Sequence, residues 1–105
     1  MSSKQRSPGP GTIDLLAFAI QRKLALRCTY KDERREIEPH TLGVTFARVR
    51  LLRAWQRSGG SGEGWRLFRV AEMTEIELVP GLFFSPRPGY VRGDLAMQSQ
   101  IDCEI

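Results

Sequence analysis

The sequence predicts a mainly β chain in which one N-terminal helix precedes four or five short strands, folded as a strongly bent sheet or a small barrel. Three observations point there. Apolar residues at helical spacing occur near the N-terminus. Alternating segments fill most of the remaining chain. Turn signals rich in Gly, Pro, Ser and Asp punctuate them. The 105 residues suffice for one small domain with a single modest core.

Taken in order, residues 1–11 are rich in Ser, Pro and Gly and carry Lys4 and Arg6, the composition of a disordered arm. Thr12 is placed to N-cap a helix with Asp14 in its first turn. Ile13, Leu16, Ala17, Ile20 and Leu24 follow helical spacing, and Leu15, Phe18 and Ala19 are apolar as well. Such a helix is buried on most sides, and a second subunit is one way to cover it. Leu26, Cys28 and Tyr30 alternate with Arg27, Thr29 and Lys31 as a half-buried strand. A polar turn at residues 31–34 leads into a second strand, with Ile37 and Pro39 on one side and Glu36, Glu38 and His40 on the other. Pro39 lacks an N–H and belongs at an edge or a bend, and Gly43 permits a bulge or a sharp bend.

The centre of the chain is an arginine-rich hairpin. Its arms are Arg48–Arg57 and Trp65–Val70, and Ser58–Gly64 form a flexible tip. Six arginines lie between Arg48 and Arg69 against one acid, Glu63, a local charge of about +5 within a chain of net charge +4. The alternation slips at Leu51–Leu52, which indicates a bulge or burial on both faces. Residues 71–78 form a helical turn or a short strand that Pro80–Gly81 stop. The aromatic segment Leu82–Tyr90 packs as a clip, and a last strand lies between Ala96 and Ile105.

Several function classes are disfavoured. No apolar run approaches the roughly 18 residues that span a bilayer, and the N-terminus has no secretory apolar core. Cys28 and Cys103 lack metal spacing and read as reduced thiols of a cytoplasmic protein. His40 has no Cys or His partner, so neither a metal site nor another cofactor is expected; alone, it is a structural hydrogen-bonder or an anion contact. Glu36 and Glu38 resemble paired catalytic carboxylates by spacing, but salt bridges to nearby cations are the better reading. Gly59–Gly62 lack the Gly-Lys-Ser/Thr ending of a phosphate loop. Trp55 and Trp65 are placed to pair across the hairpin, with base stacking as the minority alternative. No nucleophile–base–orienter set is visible, and no catalytic residue is assigned.

Three blocks occur in a recognisable order: Leu26–Tyr30 (LRCTY), Arg35–Leu42 (REIEPHTL) and Trp65–Val70 (WRLFRV). Together they resemble the WYL domain of bacterial regulators, over roughly Ile13 to Leu78. The Trp-Tyr-Leu triplet that names the family is replaced by Arg50-Leu51-Leu52, and the Leu-Asp-Arg-Ile ending by Val70-Ala71-Glu72-Met73. The resemblance implies an Sm-like or SH3-like barrel preceded by a helix, with residues 12–79 as the domain and residues 80–105 as a C-terminal extension packing on it. It implies a ligand-sensing or nucleic-acid-sensing regulatory module. Most members carry a winged-helix DNA-binding domain; none is expected here, which implies a stand-alone sensor or a partner subunit. The family's ligand groove maps to Tyr30, His40, Arg66 and Arg69, and charge clustering adds Arg50 and Arg53. Arg48 and Arg57 read as solvated surface.

The expected function is therefore non-catalytic binding of a nucleotide, a nucleotide-like messenger or short single-stranded nucleic acid through arginines, which suit phosphate by bidentate pairing. The alternative is a structural protein-interaction or dimerisation subunit with no small ligand, motivated by the apolar helix. The two are compatible in a homodimer.

Overall fold

The computed structural model describes residues 10–105. Helix α1 (Pro10–Arg22) is followed by strands β1 (Leu24–Tyr30), β2 (Glu33–Val44), β3 (Arg50–Ser58), β4 (Gly64–Arg69), β5 (Thr74–Phe83) and β6 (Gln100–Glu104). Short 3₁₀ turns lie at Val70–Glu72 and Leu95–Met97. The strands form one antiparallel sheet in the order β4-β3-β2-β1-β5, and β6 also pairs with β2. The expected bent sheet is present, but it does not close into a barrel: β4, β5 and β6 each pair with a single strand.

The helix starts at Pro10, two residues before the expected cap at Thr12. Proline is well placed at a first helical position, where its missing N–H costs nothing. Of the disordered arm expected at residues 1–11, Pro10 and Gly11 are helical, and residues 1–9 lie outside the described residues. Leu16, Ala19 and Ile20 are fully buried against the sheet, while Phe18 stays 38% exposed beneath the Arg22 guanidinium. The helix thus buries one side rather than most of them. It ends on Lys23 in the left-handed region, φ 54°, and the chain turns directly into β1.

Lys31 and Asp32 join β1 to β2 with φ of 50° and 64°, the backbone of a tight two-residue hairpin turn. The long strand β2 organises the sheet. β3 pairs along it from Glu36 to Val44, while β1 takes Glu33–Ile37 and β6 takes Thr41–Val44. The β2–β3 register slips between Pro39 and Thr41, so the proline sits at a bulge as its missing donor requires. Leu51 and Leu52 are both buried without a bulge of their own. Gly43 is needed for close approach rather than for a bend: a Cβ there would lie 2.5 Å from the Gln100 carbonyl and 2.8 Å from the Met97 Cβ.

Pro80–Gly81 do not stop the chain. β5 runs through them to Phe83, and the register shift between the Leu24–Phe83 and Leu26–Leu78 pairs absorbs them. The hairpin tip is also more constrained than a run of Gly and Ser suggests. Buried Gln56 donates to the carbonyls of Gly59 (2.7 Å) and Gly62 (2.6 Å), and Arg35 donates to Gln56 Oε1 (3.0 Å). A fully buried amide with three hydrogen bonds is a fastener, and it turns a loop read as flexible into a defined one.

Candidate functional site

The six residues singled out from sequence fall into three groups: structural residues in separate places, an ion pair beside Trp65, and an arginine cleft. Tyr30 lies in the core, its ring edge-on to Phe68 at 4.8 Å and its hydroxyl accepting from the Arg69 backbone N–H at 3.0 Å. Arg66 closes the hairpin tip by donating to Ser61 Oγ, Gly62 O and Trp65 O. His40 is fully buried beneath the C-terminal extension. Its Nδ1 lies 2.8 Å from the Glu38 carbonyl, and its Nε2 accepts from the Arg87 N–H at 3.1 Å. Those partners select the neutral tautomer with the proton on Nδ1. Burial holds its pKa below the ordinary 6.5. With Trp65, Phe84 and Tyr90 rings at about 5 Å, His40 is a structural hydrogen-bonder.

Arg53 belongs to the second group. It pairs with Asp94 through Nε at 2.8 Å and Nη2 at 3.3 Å, beside Trp65. Trp65 stands opposite Trp55 in register, edge to face at 5.6 Å, as the hairpin pattern predicted.

The third group brings Arg50 and Arg69 together with Arg48. These three arginines line a cleft of about 350 Å³ with Ile13, Val49, Ala71 and Glu72. Arg48 and Arg50 also line an adjoining cleft with Val44, Ser99 and Gln100. Arg48 is exposed and sits at φ 67° in the β2–β3 turn. That turn is pinned by Thr45 N to Val49 O (2.9 Å), Arg48 N to Thr45 O (3.0 Å) and Val49 N to Thr45 Oγ1 (3.2 Å). Arg50 pairs with Asp102 at 2.9 Å and Arg69 with Glu72 at 3.2 Å. Arg48 forms no ion pair among the described residues. Three guanidinium groups therefore meet two carboxylates, an excess of one positive charge. The Arg69–Glu72 pair is half exposed, so water competes for it and it is worth at most about 1 kcal/mol.

Sequence reasoning missed Arg87. Arg87 grips Glu38 with both ends of its fork, Nε to Oε1 at 2.7 Å and Nη2 to Oε2 at 3.1 Å, and its guanidinium lies 5.0 Å from the centre of the Trp55 ring. Arg57, expected as solvated surface, instead bridges Glu36 (3.2 Å) and Glu38 (3.5 Å). The two glutamates are salt-bridged, as their spacing near so many cations suggested. Glu38 is only 1% exposed, so some cation had to be brought to it. Strand alternation placed Glu38 on the face opposite Ile37 and Pro39, so nothing in the sequence marked its burial or said which arginine would answer.

With the geometry in hand, comparison with known proteins is informative. The family model for the WYL domain matches residues 11–78. The chain belongs to the WYL-domain family. No curated protein matches it. Among solved structures it is similar to proteasome accessory factor B/C (PafBC) of Arthrobacter aurescens, with 28% identity and a TM-score of 0.68. The match covers 82% of this chain and 14% of that one, so the likeness is to one part of a larger protein. WYL domains are typically regulatory and non-catalytic. The WYL match ends inside β5, so Arg87, Asp94 and β6 lie beyond it. Among the described residues no cluster of three or more His, Cys, Asp or Glu side chains is arranged to hold a metal ion. Likewise, no helix there is long and apolar enough to cross a membrane.

Proposed function

We propose that this WYL domain is a sensing module that binds a nucleotide, a nucleotide-like messenger or a short single strand of nucleic acid through the cleft of Arg48, Arg50 and Arg69. The observation that carries this reading is the convergence of three arginines on one cleft with fewer carboxylates than guanidinium groups. Phosphate accepts bidentate hydrogen bonds from guanidinium, and exchanging an exposed carboxylate partner for phosphate costs little. Tyr30 supports the site from behind, its hydroxyl accepting from the Arg69 backbone N–H, whereas Arg66 lies at the hairpin tip, outside this cleft. The free thiols Cys28 and Cys103 suit a reducing, cytoplasmic setting.

The test is fluorescence anisotropy with a labelled oligothymidylate and with ATP as competitor, at low and moderate salt. Binding that weakens steeply with salt and is lost in Arg48→Glu plus Arg69→Glu supports the reading. Absence of binding at low salt, or binding unchanged in the double variant, rejects it.

One observation favours a second reading, self-association. Phe18 on α1 and Phe83 at the end of β5 are 38% and 64% exposed, and β5 is an edge strand of the sheet. Sedimentation velocity tests it: a concentration-independent monomer would exclude a homodimer.

A further inference from the structure

A cavity of about 420 Å³ lies between β3, β4 and the loop of residues 89–95, apart from the arginine cleft. Its walls are Trp65, Tyr90, Val91 and Leu95, and the Arg53–Asp94 pair completes them. The size lies within the range of small-molecule sites. Two of its walls are fixed. Trp65 is held edge-on by both Trp55 and His40, and Tyr90 is tied by its hydroxyl to the Ile105 carbonyl at 3.0 Å. Gly89, at φ 91°, passes so close that a Cβ there would sit 3.3 Å from the Trp65 indole nitrogen. Val91 and Leu95 stand at the cavity 70% and 78% exposed, two large aliphatic side chains with little cover of their own.

The polar groups define what the cavity would accept. Asp94 is spent: Oδ2 takes Arg53 Nε, and Oδ1 takes both Arg53 Nη2 and the Ala96 N–H. Arg53 is not spent. Its Nη1 and the Trp65 indole N–H donate no hydrogen bond to another described residue. The cavity thus offers unused donors and apolar walls, with its one carboxylate already saturated.

We infer that this cavity is a second ligand site, for a small, planar, mostly apolar molecule carrying one carboxylate or similar anionic acceptor. The acceptor takes the free donors of Arg53 and Trp65, and the apolar body covers Val91 and Leu95. More than half of the lining comes from residues 89–95, beyond the 11–78 span of the WYL match. The site therefore belongs to the extension of this chain and does not depend on the proposed cleft.

The experiment is a titration of the ¹⁵N-labelled full chain with 2-naphthoate, following the two indole N–H resonances, assigned with Trp55→Phe. A saturable shift at Trp65 is expected, weakened about tenfold or more by Leu95→Glu. Leu95 is exposed, so that variant keeps the parent spectrum elsewhere. The cation 2-naphthylmethylamine should not bind, and Arg48→Glu should bind 2-naphthoate as the parent does. The inference is overturned if Trp65 does not shift in the millimolar range, if Leu95→Glu binds unchanged, or if the amine binds as well as the acid.

Discussion

The Arg57–Glu38–Arg87 cluster and the Arg48–Arg50–Arg69 cleft are built from the same side chain under opposite conditions. In the first, a buried carboxylate is gripped by a bidentate fork, so the cations serve the fold. In the second, the Arg69–Glu72 pair is half exposed and Arg48 forms no ion pair among the described residues, so the charge remains available. Arginine density alone does not distinguish these roles. The deciding quantity is how deeply the acid is buried.

The largest expected effect comes from breaking the first cluster. Arg87→Ala leaves Glu38 buried with only the longer Arg57 contact and removes the cation over Trp55. It should cost about 3 kcal/mol, the low end for breaking a buried pair, read as a shift in urea midpoint. A loss below about 1 kcal/mol would mean that the extension is held by β6 pairing rather than by this grip. Next is the hairpin tip: Gln56→Ala removes three hydrogen bonds from a buried site and should cost about 1–3 kcal/mol.

Acid should act on the same buried region. The folded-state pKa of His40 lies below 6.5 because burial disfavours the charged ring. The unfolded chain therefore takes up a proton first as pH falls through about 6.5, and stability declines from there until the folded-state pKa is passed. Thermal melts between about pH 7.5 and 5 should show that decline, and His40→Gln should flatten it. Burial also raises the Cys28 thiol to about 11, so at about pH 8 alkylation should reach Cys28 only once the protein unfolds. The smallest stability effect belongs to the cleft: Arg48→Ala and Arg69→Ala should each change stability by less than about 0.5 kcal/mol.

Much of the fold was legible because it rests on local chemistry. Alternation marked β1, Pro39 marked a bend where the β2–β3 register slips, and Trp55 with Trp65 marked the register of the central hairpin. The C-terminal extension was less legible because its contacts are long-range: Arg87 meets Glu38 across 49 positions and Arg53 meets Asp94 across 41. The clip was visible in the aromatics of residues 82–90, but its ionic fastening was not. For the candidate site, two of the six residues read from sequence, Arg50 and Arg69, line the arginine cleft. Arg48 joins them because the turn after β2 brings it there, a matter of backbone course that charge counting does not reveal.

The contrast between committed and available arginines is tested most directly by oligothymidylate binding to paired variants of equal charge change. Arg48→Ala plus Arg69→Ala should leave the urea midpoint nearly unchanged and reduce low-salt affinity at least about tenfold. Arg27→Ala plus Arg57→Ala, which removes two cations paired with Glu36, should leave affinity within about twofold. Equal losses of affinity in the two pairs would contradict this division of roles, since binding would then follow net charge rather than the cleft.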